Sequence, residues 1–131
     1  MSFFFDENYG HKLAAGLDAF DEENSIKHFK DVGFLSTEDV EWFSRLPENE
    51  RNVIITLDRS ISRNPAERSA WKESGAILFF LKKSFVQQTP WDQIAKMVKK
   101  WPTICKLAAK AKPGDGFIVH TSGEKIEPIE L

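Results

Sequence analysis

The stretch that decides the fold is Asn52-Val53-Ile54-Ile55-Thr56-Leu57, which is followed directly by Asp58. Four of its six residues are β-branched, and β-branched side chains favour strands. An apolar run without polar alternation indicates a strand covered on both faces, as in the centre of a parallel sheet. We therefore predict a central strand over residues 52–57, with Asp58 at its carboxyl end.

Shorter apolar runs and helical patterns alternate on both sides of this central strand. Further strands are predicted over residues 2–5, 24–29, 76–81, 116–120 and 125–129, and helices over residues 10–20, 36–46, 65–74 and 90–111. The run 58–64 is predicted as a polar loop. Pro102 is predicted to kink or restart the last helix, because proline lacks the N–H that a helix interior uses. Alternating strands and helices give a mostly parallel sheet with helices on both faces, so we predict a single α/β domain over residues 1–131.

Composition and charge narrow the class of protein. The chain has 131 residues, 41% of them hydrophobic, which is typical of a globular protein. A single cysteine, Cys105, excludes an intrachain disulfide framework and favours a reducing cytoplasm, and we expect no signal peptide and no membrane-spanning segment. Residues 1–50 carry 4 Lys and Arg against 12 Asp and Glu, whereas residues 82–112 carry 8 Lys against one Asp. An acidic half suits cations, and a basic segment suits an anionic polymer.

Three aspartates lie where phosphate chemistry that depends on a metal ion needs acids. Asp6 ends the strand 2–5, Asp58 ends the central strand, and Asp39 lies near the start of the helix 36–46. The carboxyl ends of parallel strands meet at one edge of a sheet, so these carboxylates are expected close together. Converging carboxylates repel one another unless a cation neutralises them, and Mg²⁺ or Mn²⁺ suits such a site. Each aspartate alone could equally end a strand or cap a helix for local hydrogen bonding.

Other charged residues could support such a site. Glu67, on the helix after Asp58, is a candidate fourth acid, although it could equally pair with Arg63 or Arg68. Arg59 and Arg63 are candidate phosphate ligands, since arginine binds phosphate in a bidentate way, but they could instead pair with acids of the first half. A row of lysines on the long helix could follow an RNA backbone or simply solvate that helix. These lysines are Lys96, Lys99, Lys100, Lys106 and Lys110.

Around these residues the chain resembles the PIN-domain superfamily. The resemblance rests on Asp6-Glu7-Asn8 after the first strand, on Asp39 three residues before Trp42, and on the run 55–68, which reads I-T-L-D-R-S-I-S-R-N-P-A-E-R. It is strongest with the PIN-like branch in which a D-E-N start accompanies a strand ending T-R-D-R and a following R-N-P-A-E-R. The resemblance covers about residues 2–85, and the run from Asp58 to Arg68 is its most specific part.

The resemblance implies both a fold and a function. The implied fold is a three-layer α/β/α PIN-like fold with a mostly parallel central sheet. The implied function is that of the VapC-type toxin ribonucleases, which are metal-dependent endoribonucleases using Mg²⁺ or Mn²⁺. As the toxin of a bacterial type II toxin–antitoxin pair, such a protein would cleave RNA, would be bound by a cognate antitoxin and could form a homodimer. By position, Asp6, Asp39 and Asp58 would be the catalytic, metal-binding acids.

The chain departs from the family pattern near its third acid. Leu57 stands where that branch usually has arginine, and the few residues after Asp58 include no acid, whereas many PIN domains have a fourth acid there. Asn64 or Glu67 could take its place through a water, or one ion could act until RNA brings its own phosphates. The missing acid also leaves open a non-catalytic PIN-like module that binds RNA or protein. A phosphoacceptor receiver domain ranks behind both, because the strand after the long helix ends at His120-Thr121 instead of a lysine.

Overall fold

The structure, a computed structural model, describes residues 1–33 and 39–129, without the side chains of residues 39 and 40. The helices and strands of this part of the chain are, in order, β1 (Ser2–Phe5), α1 (His11–Phe20), β2 (Ser25–His28), α2 (Asp39–Ser44), β3 (Asn52–Thr56), α3 (Ser60–Arg63), α4 (Pro65–Ser74), β4 (Ile77–Leu81), α5 (Lys83–Val86), α6 (Pro90–Lys110), β5 (Gly116–Val119) and β6 (Ile126–Pro128).

The strands of the described residues form one six-stranded sheet in the order β2-β1-β3-β4-β5-β6. Strands β1 to β5 run parallel to one another, and β6 pairs with β5 in the antiparallel direction. Strand β3 lies next to β1, with Phe5 opposite Ile55. The ends of these two strands therefore lie side by side at the carboxyl edge of the sheet, and the prediction of a mostly parallel sheet is confirmed.

Helices cover both faces of the sheet. Side chains alternate between the two faces along each strand, so each face presents apolar side chains for helices to cover. On one face, Phe3 and Phe5 of β1 belong to a buried apolar cluster with α1, α5 and α6. On the other face, Phe4 belongs to a second buried cluster with α2, α3 and α4. All five residues of β3 are buried, which agrees with its predicted central place. The predicted three-layer α/β/α arrangement is confirmed.

One local prediction was wrong, and another was wrong in one of its two alternatives. The run 58–64 is not all loop, because Ser60–Arg63 form the short helix α3 and its Ile61 is buried in the second apolar cluster. Of the two outcomes predicted at Pro102, the restart of the helix is wrong, because α6 continues from Pro90 to Lys110, and the kink stays a prediction. Trp101 and Ile104, on either side of the exposed proline, are both buried, and this packing holds the two halves of the helix together. Within the described residues, no helix is both long enough and apolar enough to cross a membrane.

Candidate active site at the carboxyl edge of the sheet

Two acids predicted from the sequence meet at the carboxyl edge of the sheet. Asp6 follows β1 and is 5% exposed. Its Oδ2 accepts hydrogen bonds from the Thr56 hydroxyl at 2.6 Å and the Leu57 N–H at 3.0 Å, and its Oδ1 accepts from the Asn8 N–H at 3.1 Å. The same Thr56 hydroxyl accepts from the Asp58 N–H at 3.0 Å. One hydroxyl at the end of β3 thus links the Asp6 carboxylate to the backbone of Asp58.

The surroundings of Asp6 favour a cation beside its carboxylate. Burial raises the pKa of Asp6 above its ordinary value of 3.8, and hydrogen bonds from Thr56, Leu57 and Asn8 oppose that rise. The negative charge of Asp58 raises the pKa of Asp6 further. A cation between the two carboxylates would offset both the cost of burying the Asp6 charge and the repulsion between the two charges.

A third acid, Glu67, is linked to Asp58 through a serine. The Ser60 N–H and hydroxyl both donate to Asp58 Oδ1, at 2.9 and 2.5 Å, and the Ser60 hydroxyl also lies 3.0 Å from Glu67 Oε2. Because a hydroxyl has one hydrogen, it serves one of these carboxylates at a time. Asn64 caps α4, since its Oδ1 accepts from the N–H groups of Ala66 and Glu67. This cap sets the start of the helix that carries Glu67.

The donor atoms of this site fit Mg²⁺ or Mn²⁺. Such an ion usually binds one or two carboxylates and completes its coordination with waters and phosphate oxygens. Asp6 and Asp58 together would supply the two carboxylates. Among the side chains that the structure describes, no three His, Cys, Asp or Glu converge as a complete metal site. The Asp39 side chain lies outside the described residues, although Asp39 is the first residue of α2.

Two clefts flank Asp58 at the carboxyl edge, and most of the basic residues near Asp58 line the first of them. The first, which we call the arginine cleft, has a volume of about 430 Å³, and its polar lining residues are Asp58, Arg59, Arg63, Lys82 and Lys83. The second, the asparagine cleft, has a volume of about 460 Å³, and its polar lining residues are Asn8, Asp58, Lys83 and Gln87. Asp58 and Lys83 line both clefts, so the clefts adjoin at the candidate site.

Two of the predicted phosphate ligands lie in the arginine cleft. The Arg59 guanidinium lies over the Phe80 ring, 5.2 Å from its centroid, and its Nε is buried without a hydrogen-bond partner in the described part of the chain. Arg63 is the last residue of α3 and is exposed. The sequence reasoning missed Lys82 and Lys83. They directly follow β4, so the rule that drew attention to acids after strands would also have found these two lysines.

The three α6 lysines predicted to bind substrate lie elsewhere. Lys100 is 5% exposed and its ammonium donates to the Gly123 carbonyl, while Lys99 lies 3.9 Å from Glu124. Lys96 donates to the Gln88 side chain at 2.9 Å. None of the three is among the described residues that line the two clefts.

Comparison with known protein families agrees with this fold. A family model described as "PIN like domain" matches residues 1–83, which is more than half of the chain. The chain therefore belongs to the PIN-like domain family, whose members are generally nucleases and usually use divalent metal ions. The predicted membership of the PIN-domain superfamily is thereby confirmed. No curated protein and no solved structure matches the chain.

Proposed function

We propose that this protein is a metal-dependent endoribonuclease that hydrolyses RNA phosphodiester bonds. The observation that carries the proposal is the placement of the Asp6 and Asp58 carboxylates at one edge of the sheet, where the Thr56 hydroxyl links the Asp6 carboxylate to the Asp58 backbone N–H. Arg59, Arg63, Lys82 and Lys83 line the clefts beside Asp58. Cleavage of an anionic phosphodiester requires a metal ion, which acids can hold, and cationic side chains nearby that stabilise the phosphate.

In this proposal each residue at the carboxyl edge has one task. Asp6, Asp39 and Asp58 hold Mg²⁺ or Mn²⁺, which when bound supplies Lewis acidity at the phosphate and a water of lowered pKa. Thr56 fixes the orientation of the Asp6 carboxylate through its 2.6 Å hydrogen bond. Ser60 orients Asp58 in the same way. Glu67 is near enough to share that serine and serves as the candidate fourth acid.

The basic side chains of the clefts would hold the RNA backbone. Arg59 and Arg63 are suited to phosphate because a guanidinium donates two parallel hydrogen bonds to it. Lys83 lines both clefts, so it can contact an RNA strand that crosses from one cleft to the other. Lys96 and Lys99 would contact only a longer RNA that also reaches α6. Lys100 has the weakest case among the predicted ligands, since its ammonium is already bonded to Gly123.

The biological setting that we propose comes from the family resemblance. A VapC-type ribonuclease would act in the cytoplasm as the toxin of a bacterial type II toxin–antitoxin pair, would be neutralised by a cognate antitoxin protein and could form a homodimer. A gene for a small antitoxin beside the gene for this protein would support that setting. A neighbourhood without one would favour a nuclease that acts outside such a pair.

A non-catalytic PIN-like module that binds RNA or protein is the second candidate function. It is favoured by the residues that follow Asp58, which are Arg59 and Ser60 rather than a fourth acid. Calorimetric titration with Mn²⁺ separates the two candidates. The nuclease requires Mn²⁺ binding that Asp58→Asn weakens strongly, whereas an inert module requires no such binding.

Cleavage of a labelled single-stranded RNA in Mn²⁺ tests the proposed activity. We expect the wild-type protein to cut the RNA, and we expect excess EDTA or Asp6→Asn to abolish cutting. The matched control is Asp92→Asn, which alters an exposed acid on α6 and should leave activity unchanged. Thermal unfolding of each variant by circular dichroism verifies that the fold is retained. Full activity of a folded Asp6→Asn protein would refute the proposal.

A further inference from the structure

A second surface feature lies at the opposite, amino edge of the sheet. It is an open groove of about 720 Å³ between the end of α2, the segment that leads into β3, and the end of α4. We call it the acidic groove, because Glu48, Glu50 and Glu73 line it, and no lysine, arginine or histidine is among its described lining residues. Nothing in the proposed nuclease activity uses this groove, since Asp6 and Asp58 lie at the other edge.

A buried, unpaired acceptor lies in the same groove. Asn52, the first residue of β3, is 8% exposed and lines the groove. Its Nδ2 donates to the Pro47 carbonyl at 2.8 Å, and that contact fixes the amide orientation because a carbonyl can only accept. Its Oδ1 is buried and has no hydrogen-bond partner within the described residues. A buried acceptor without a partner is unfavourable, so a ligand that donates a hydrogen bond would be stabilised here.

The groove suits an organic cation better than a metal ion. No three carboxylates of the described residues converge closely enough to hold a metal ion, so Glu48, Glu50 and Glu73 are spread along the groove. Apolar side chains, including Phe43 and Leu46, form part of the wall. A matching ligand therefore has N–H donors, positive charge at more than one point, and methylene groups between them.

We propose that the acidic groove binds a basic peptide segment of a partner protein, with an arginine or lysine side chain beside Asn52. The volume of the groove is in the range of ligand-binding clefts, which is about 300–1,000 Å³, and the groove is open to solvent. Charge complementarity selects the partner, because the three carboxylates attract cationic side chains. The methylene stems of those cationic side chains cover the apolar wall. The Asn52 Oδ1 accepts from the cationic head, which gives the buried acceptor its partner.

Fluorescence anisotropy with a fluorescein-labelled hexa-arginine peptide tests this proposal. We expect binding that weakens with salt, and a loss of affinity of about fivefold or more in Glu48→Gln/Glu73→Gln, because each exposed charge pair contributes only modestly. Both glutamates are exposed, so this variant should keep the fold. The matched control is Glu22→Gln/Glu23→Gln, which removes the same charge next to α1, on the other face of the sheet, and should bind like wild type.

Nuclear magnetic resonance gives the direct readout at the buried acceptor. On addition of the peptide, the Asn52 side-chain amide resonances should shift, and the shifts should be absent in Glu48→Gln/Glu73→Gln. Equal affinity of the groove variant and the wild type would overturn the proposal, as would an equal loss in the Glu22/Glu23 control. Tighter binding of spermidine than of the peptide at the same resonances would also overturn it, because the natural ligand would then be a free polyamine.

Discussion

Replacing Thr56 with valine would remove the hydroxyl that connects the two acids, without a large change in side-chain volume. In the structure this hydroxyl donates to Asp6 Oδ2 at 2.6 Å and accepts from the Asp58 N–H at 3.0 Å. Thr56 is 2% exposed, so water cannot readily replace either hydrogen bond. The substitution therefore tests whether this hydroxyl prepares Asp6 and Asp58 for a metal ion.

The expected effect on stability follows from those two contacts. A hydrogen bond to a charged group contributes about 1.5–3 kcal/mol, and the Asp58 N–H left without its acceptor adds a smaller cost, so we expect a total loss of about 2–4 kcal/mol. At this chain length each kcal/mol lowers the Tm by roughly 3–5 °C. The pKa of Asp6 should rise further, because the Thr56 hydrogen bond opposes the effect of burial. Loss of such an orienting contact typically weakens metal binding by about 10- to 100-fold.

Thermal unfolding and Mn²⁺ calorimetry measure both effects, with Thr56→Ser as the matched control. Serine keeps the hydroxyl, so the Mn²⁺ affinity of Thr56→Ser should stay within a few-fold of wild type, whereas Thr56→Val should lose most of it. Equal Mn²⁺ affinities for the wild type and Thr56→Val would show that the hydroxyl does not prepare the site.

Three further substitutions test predictions about stability. In Gly116→Ala the new Cβ would lie 2.9 Å from the buried Trp71 ring, so we expect the free energy of urea unfolding to fall by about 1–3 kcal/mol. In Gly16→Ala, inside α1, the new Cβ would meet nothing within 4 Å, so we expect the free energy of unfolding to rise by about 0.5–1 kcal/mol. If both substitutions changed stability by the same amount, the close approach of Gly116 to Trp71 would be wrong. Burial raises the pKa of Asp21, but the Trp101 N–H at 2.8 Å and other donors outweigh it and hold the pKa below 3.8. Since a lowered pKa stabilises the fold only while the carboxylate is ionised, this contribution should be complete above pH 3.8 and fade below it. Asp21→Ala should therefore lower stability at neutral pH and flatten the acid side of the pH–stability curve, and an unchanged acid side would contradict this.

The sequence predicted that Asp6 and Asp58 lie at one edge of the sheet, because their position depends only on strand direction. Asp6 and Asp58 each follow an apolar run, and parallel strands bring such ends to one edge. The register that sets Phe5 opposite Ile55 is a long-range property, so the contact of Asp6 with Thr56 could not be derived. Helix α3 escaped prediction because its sequence is polar apart from Ile61, and only the packing of that side chain against α4 and the sheet reveals it.

The basic residues that line the arginine cleft were predicted only in part. Arg59 and Arg63 directly follow the third acid and were found, whereas Lys82 and Lys83 follow a different strand and were overlooked. Lys100 was predicted either to follow an RNA backbone or to solvate the helix, and tertiary packing buries it instead. The acidic groove brings together residues from three separate segments, and nothing in the linear sequence signals their meeting.

The measurement that tests the central claim most directly is Mn²⁺-dependent cleavage of total RNA by wild type and Asp58→Asn, side by side at equal concentration. The account predicts defined cleavage products with the wild type, none with the folded Asp58→Asn variant, and none with the wild type in excess EDTA. Cleavage by Asp58→Asn at the wild-type rate, or cleavage that persists in EDTA, would contradict a metal-dependent site at the carboxyl edge of the sheet.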